Sequence, residues 1–151
     1  MTLINRFFTL RFFRLFGLTI LLSACEANES VAIMDNWVRA NAPGQSVGAA
    51  YMTLLSAQDS TMIKAEADIA GSVEIHSMKM ENGVMKMRML EELPLKAGKA
   101  EKLAPGGFHL MLFDLKKPLL AGENVKFTLT FKGAAGNTTQ QQVTLPIKEA
   151  E

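Results

Sequence analysis

Cysteine is nearly absent: Cys25 is the single one in 151 residues. One thiol closes no intramolecular disulfide. Past Cys25 there is no thiolate at all, which excludes a blue-copper centre, since that site requires one. Histidine is almost as scarce, with only His76 and His109. Charge is balanced, 16 basic against 15 acidic residues, with no basic patch and no basic run interleaved with aromatics. Nucleic acid is therefore not an expected partner. The carboxylates are scattered, and no pair of them reads as a general acid and base. Gly44-Gln45-Ser46-Val47-Gly48 matches the G-x-S-x-G pattern of hydrolases, but that elbow joins a strand to a helix. Here Pro43 precedes it and a β-rich stretch follows, so it reads as a turn entering a strand. The chain is expected to catalyse nothing.

Residues 1–24 read as a targeting segment. Arg6, Arg11 and Arg14 make a basic beginning free of acidic residues, followed by the short apolar stretch Leu15 to Leu22. Such a stretch falls well below the roughly 20 residues that cross a bilayer as a helix, so it reads as a signal peptide. The segment ends Leu22-Ser23-Ala24-Cys25. That ending is similar to a bacterial lipobox, whose cleavage leaves the cysteine as a lipid-modified first residue. Cys25 is thus the expected lipid anchor, residues 25–30 a tether, and residues 31–148 one domain long enough for its own core. The expected location is the bacterial periplasm or cell envelope, at a membrane. Without the three arginines the chain carries 13 basic and 15 acidic residues.

What is abundant is methionine, and it is concentrated. The stretch from Glu74 to Leu115 holds both histidines and six of the ten methionines: Met78, Met80, Met85, Met87, Met89 and Met111. Asn82-Gly83 is a strong hairpin signal, since both central residues of a type I′ turn take positive φ. With that turn, Glu81 faces Val84, Met80 faces Met85, Met78 faces Met87 and His76 faces Met89. Strand side chains alternate with period two, so His76 and all five of these methionines share one face. His109 and Met111, two apart on a later strand, share a face as well. Two segments therefore offer imidazole and thioether together, a donor set that suits cuprous copper, whereas calcium and magnesium want oxygen. A methionine in such a run is more often core filler than ligand, and Met78, Met80, Met85 and Met89 are expected to be core. Glu74 could support a ligand imidazole, but a solvated carboxylate is the simpler expectation.

The spacing His76, ten residues, Met87, twenty-one residues, His109, one residue, Met111 resembles that of the periplasmic copper chaperones called PCuAC. The flanking words EIHSMKMENGVMKMR, PGGFHLMLFDLKKPL and WVRANAPGQSVGAAYMTL are also similar to that family, from roughly Ala32 to Ile147. The resemblance implies a cupredoxin-like β-sandwich that binds Cu(I) through His76, Met87, His109 and Met111. It also implies delivery of copper towards the dinuclear centre of cytochrome c oxidase, with oxidase subunit II or a Sco-type chaperone as partner.

The remaining signals agree on fold class. Short apolar stretches separated by Gly and Pro turns, with no convincing amphipathic helix, predict an all-β antiparallel Greek-key sandwich or barrel. Residues 93–98 read as a loop, residues 124–131 and 141–147 as a terminal hairpin, and residues 148–151 as a frayed end. Two other functions stay open: a copper buffer with the same site, and a structural β-sandwich lipoprotein whose methionines are only core.

Overall fold

The computed structural model of the chain describes residues 30–149. The expected signal segment, Cys25 and most of the tether lie outside the described residues. Ten strands and no helix make up the described part. In chain order they are β1 (Ala32–Arg39), β2 (Gly48–Leu55), β3 (Ser60–Ala67), β4 (Ser72–Glu81), β5 (Val84–Leu90), β6 (Leu93–Leu95), β7 (Ala100–Leu103), β8 (Phe108–Phe113), β9 (Asn124–Gly133) and β10 (Thr138–Lys148).

The strands lie in the order β5-β4-β8-β7-β2-β1-β10-β9-β3-β6, with β8 also pairing β2. This is the expected all-β sandwich or barrel, a single sheet curled until it nearly closes. Most pairings are antiparallel. The first and last strands are the main exception: β1 runs parallel to β10 at Val38↔Ile147 and Arg39↔Lys148. That pairing ties the two ends of the domain together and holds Lys148 in register, where fraying was expected. A second departure is β6, inside the stretch expected to be loop; it forms because Leu93 and Leu95, almost fully buried, zip onto β3 at Met62 and Ser60.

Strand parity decides what lies inside. On β9, Val125, Phe127, Leu129 and Phe131 alternate into the core. On β2 the inward set is Ala50, Met52 and Leu54, on β8 Leu110 and Leu112, and on β4 Ile75. Burying one such large side chain contributes roughly 1.5–3 kcal/mol. The opposite parity follows automatically. Tyr51 on β2, His109, Met111 and Phe113 on β8, and Glu74, His76 and Met78 on β4 all stand on the outer face of the same strands.

The β4–β5 hairpin has the predicted register, from Glu81↔Val84 through Met78↔Met87 to His76↔Met89. Its turn has the predicted conformation, with φ of 54° at Asn82 and 76° at Gly83. The expectation of a methionine core is overturned. Met80 is 62 % exposed, Met85 47 % and Met89 58 %, and only Met78 is half-buried. The physical reason is position: β5 is the edge of the sheet, and the shared face of the hairpin is the one turned away from the core.

Candidate metal centre

His76 and His109 are Cα partners on the adjacent strands β4 and β8. Their rings lie 5.8 Å apart, centroid to centroid. With bonds of about 2 Å to imidazole nitrogen, two rings on one ion have centroids roughly 5–6.5 Å apart. The observed spacing fits. Although both rings stand on the outer face, they are 9 % and 4 % exposed. Aromatic neighbours contribute to this shielding: Tyr51 lies 6.4 Å from the His109 ring and Phe113 6.1 Å from that of His76.

Each ring has one nitrogen fixed by the protein. His109 Nδ1 donates to the Gly107 carbonyl at 3.0 Å, which leaves Nε2 with a free lone pair. The same carbonyl accepts from the Met78 amide at 3.0 Å, so the Pro105-Gly106-Gly107 turn both orients His109 and ties it to β4. His76 is held the other way round. Its Nε2 donates to the Glu74 carboxylate at 2.8 Å, and its buried Nδ1 has no hydrogen-bond partner. A buried polar atom without a partner is costly, and a basic nitrogen left in that state is what a metal would satisfy. Glu74 keeps 38 % of its side chain exposed, so it is partly the solvated carboxylate expected, and it is also the orienting acceptor for His76.

Burial pushes the His109 pKa below the ordinary imidazole value of 6.5; the Gly107 hydrogen bond opposes this, while His76 and Arg39 reinforce it. The ring therefore favours its neutral form, the one with a lone pair to give. Tyr51 is shifted upward by burial, with Arg39 acting against the shift; the Arg39 guanidinium lies 5.4 Å from the centre of its ring.

The methionines are placed unequally. Met111 is the Cα partner of Glu74, diagonal to His76, and it borders a shallow cavity of about 200 Å³ with Arg39 and Gly48. Met87 is diagonal to His76 from the other side, on β5, while Met89 stands directly opposite. Met87 is 45 % exposed. The structure therefore joins His76, His109 and Met111 closely, and sets Met87 across β4 from β8, two strand spacings of about 4.8 Å away. Tyr51, Phe113 and Arg39 were not singled out in the sequence. The signal that could have found Phe113 is parity, since it lies two beyond Met111. Tyr51 needed the pairing of β2 with β8, which no local pattern announces.

Among the described residues no group of three His, Cys, Asp or Glu side chains could hold a metal ion. The side chains placed beside the two imidazoles by strand register are thioethers, which are soft and uncharged donors. Fold and face together define a cupredoxin-like β-barrel whose outer face sets two shielded imidazoles beside thioethers. The chain belongs to the LpqE-like family, described as "Putative lipoprotein LpqE-like", which it matches over residues 31–147. It is 30 % identical to the "Putative lipoprotein Lxx21020" of Leifsonia xyli over 80 % of this chain and 71 % of that one. Among solved structures it resembles the Cu(I) form of DR1885 from Deinococcus radiodurans, with 30 % identity, a TM-score of 0.58, and coverage of 82 % of this chain and 83 % of that one. It shares its fold with the copper-bound PCuAC domain from PmoF2, at 21 % identity and a TM-score of 0.64, over 80 % of this chain and 97 % of that domain.

Proposed function

We propose that this protein is an extracytoplasmic Cu(I) chaperone, holding its cargo through His76, His109, Met111 and Met87. The observation that carries this reading is the facing pair of imidazoles. Each has one nitrogen anchored by Glu74 or Gly107 and the other left as a free lone pair, beside thioethers and with no cysteine among the described residues. The likeness to the Cu(I) form of DR1885 supports it. Neutral donors offer little to a hard dication, and Cu(II) prefers tetragonal nitrogen and oxygen, so the cargo is cuprous. An exposed Met87 at the edge of the sheet leaves one side of the ion open to a partner's ligands, which would let copper leave by ligand exchange. The cytochrome c oxidase copper centre is the proposed destination, by resemblance to the PCuAC family.

Competition titration with a Cu(I) chelator tests the site. His76→Ala, His109→Ala and Met111→Leu should each weaken Cu(I) binding greatly. Register puts Met89 closer to His76 than Met87, so the pair Met87→Leu and Met89→Leu decides the fourth ligand. Normal binding in Met87→Leu with loss in Met89→Leu would move the assignment to Met89. Copper transfer to an apo fragment of oxidase subunit II separates delivery from buffering; retention of the metal favours the buffer.

We further propose that Cys25 carries the lipid anchor, since the family and its Leifsonia relative are named as lipoproteins. No helix among the described residues is long and apolar enough to cross a membrane. A single acyl chain gives marginal binding and several give stable anchoring, so the wild-type chain should fractionate with membranes, and Cys25→Ser should be released or left unprocessed. A wild-type protein that is soluble with an unmodified N-terminus counts against the anchor.

A further inference from the structure

The β4–β5 hairpin continues past the sheet that carries it. β8 accompanies β4 only as far as Ser77↔Phe108, and one further bond joins the Met78 amide to Gly107. Residues 79–86 therefore form a two-stranded ribbon. Its two faces differ sharply. One is charged, with Glu81 3.0 Å from Lys86 and 3.5 Å from Arg88. The other carries opposed thioethers, Met78↔Met87 and Met80↔Met85.

Burial does not account for this second face, since Met80, Met85 and Met87 are 62 %, 47 % and 45 % exposed. β-Propensity does not account for it either, because a solvated strand favours β-branched, aromatic or charged residues. What distinguishes methionine from every other apolar side chain is a soft sulfur donor. Directly opposed strand residues have Cβ atoms about 4.5–5.5 Å apart, and methionine has three rotatable bonds. Two facing thioethers can therefore meet on one ion without backbone movement, and Met78 is the diagonal neighbour of Met85, within reach as a third donor.

We infer that Met80, Met85 and Met78 form a second site, at the hairpin tip, for a soft monovalent cation, Cu(I) or Ag(I). The Met80–Met85 rung lies four residues beyond the His76–Met89 rung, roughly 13 Å along the strand, so the two sites hold separate ions. Within the ribbon no carboxylate competes on the thioether face, because Glu81 projects from the other one and is engaged by Lys86 and Arg88. Three neutral sulfurs favour a soft monovalent cation over Ca²⁺ and Mg²⁺, which take oxygen ligands. In the open position of the ribbon the ion is accessible to exchange, and the Met78–Met87 rung lies between it and the histidine pair. The tip site stands on its own thioethers and does not require the copper reading of the histidine centre.

The test is a titration of the full chain in detergent with Ag(I), a redox-inert stand-in for Cu(I). Bound metal is counted by mass spectrometry, and the methionine ε-methyl groups are followed by ¹³C–¹H NMR. Wild type should take two ions, the second one shifting the Met80 and Met85 methyls. Met80→Leu/Met85→Leu, nearly volume-conserving at exposed positions, should take one. His76→Ala/His109→Ala should also take one, with the Met80 and Met85 methyls shifted from the first equivalent. The inference is overturned if wild type takes only one ion at the histidines, if the double leucine variant still takes two, or if the tip methyls stay unmoved throughout. Tip methyls that shift while the histidine variant binds as many ions as wild type would keep the tip site and defeat the copper reading of the centre.

Discussion

At the scale of single residues, the centre depends on which nitrogen of each ring is free. Glu74 holds His76 by Nε2 and Gly107 holds His109 by Nδ1, so the two imidazoles present different atoms. Acceptors of this kind fix the tautomer and raise the basicity of a metal-bound ring, and their loss typically costs about 10–100-fold in affinity. Glu74→Ala should weaken Cu(I) binding by that order, with Glu74→Gln recovering part of it. The imidazole ¹⁵N shifts of His76 should show mixed tautomers in the alanine variant alone; an unchanged His76 tautomer in Glu74→Ala would remove the positioning role. His109 gives a second prediction. Burial sets its folded pKa below the ordinary 6.5, so the unfolded chain takes up the proton first as pH falls. The stability associated with the neutral ring is full above about pH 6.5 and is lost as pH falls through the folded value. The thermal midpoint of the metal-free protein should drop over that interval, and His109→Gln should flatten the drop. An identical slope in both proteins would show that another group governs it.

At the scale of the element, the hairpin combines strong local instruction with weak tertiary support. Asn82-Gly83 at positive φ dictates the turn, the turn dictates the register, and the register brings thioether opposite thioether. Gly83 takes φ of 76° with open space around it, so a side chain there meets no clash, only the backbone cost of the left-handed region, roughly 1–2 kcal/mol. A two-stranded ribbon is marginal by itself. Gly83→Ala should therefore speed amide exchange of residues 79–86 while leaving the global unfolding midpoint nearly unchanged, because local opening needs less free energy than global unfolding. A large fall in the global midpoint would show that the tip is coupled to the core more tightly than its exposure indicates.

At the scale of the molecule, stability resides on the opposite side of the sheet from the chemistry. Phe127 and Phe131 on β9 are the largest fully buried side chains, and β9 lies in the half of the barrel remote from β4 and β5 in strand order. Phe127→Ala should cost about 3–5 kcal/mol in chemical denaturation. Under conditions where that variant remains folded, its Cu(I) affinity should match wild type. A loss of affinity in the folded variant would mean that the core and the outer face are not independent.

The sequence by itself determined whatever depends on local rules. Period-two alternation put His76 with the hairpin methionines and His109 with Met111, and the Asn-Gly turn set every pair in the hairpin, because turn type and strand parity act within a few residues. Glycine and proline spacing determined the all-β class in the same way. Only the tertiary structure decided which face was buried. The methionines read as core because an alternating apolar strand is compatible with either side of a sheet, and it was the edge position of β5 that left Met80, Met85 and Met89 in solvent. The pairing of His76 with His109, and the closure of β1 on β10, join residues 33 and 109 positions apart in the chain. Such contacts arise from how the sheet curls around its core, and no local pattern encodes them. The same holds for Glu74: its place two residues before His76 was visible, but the bond to Nε2 needed a sheet face that holds both side chains together.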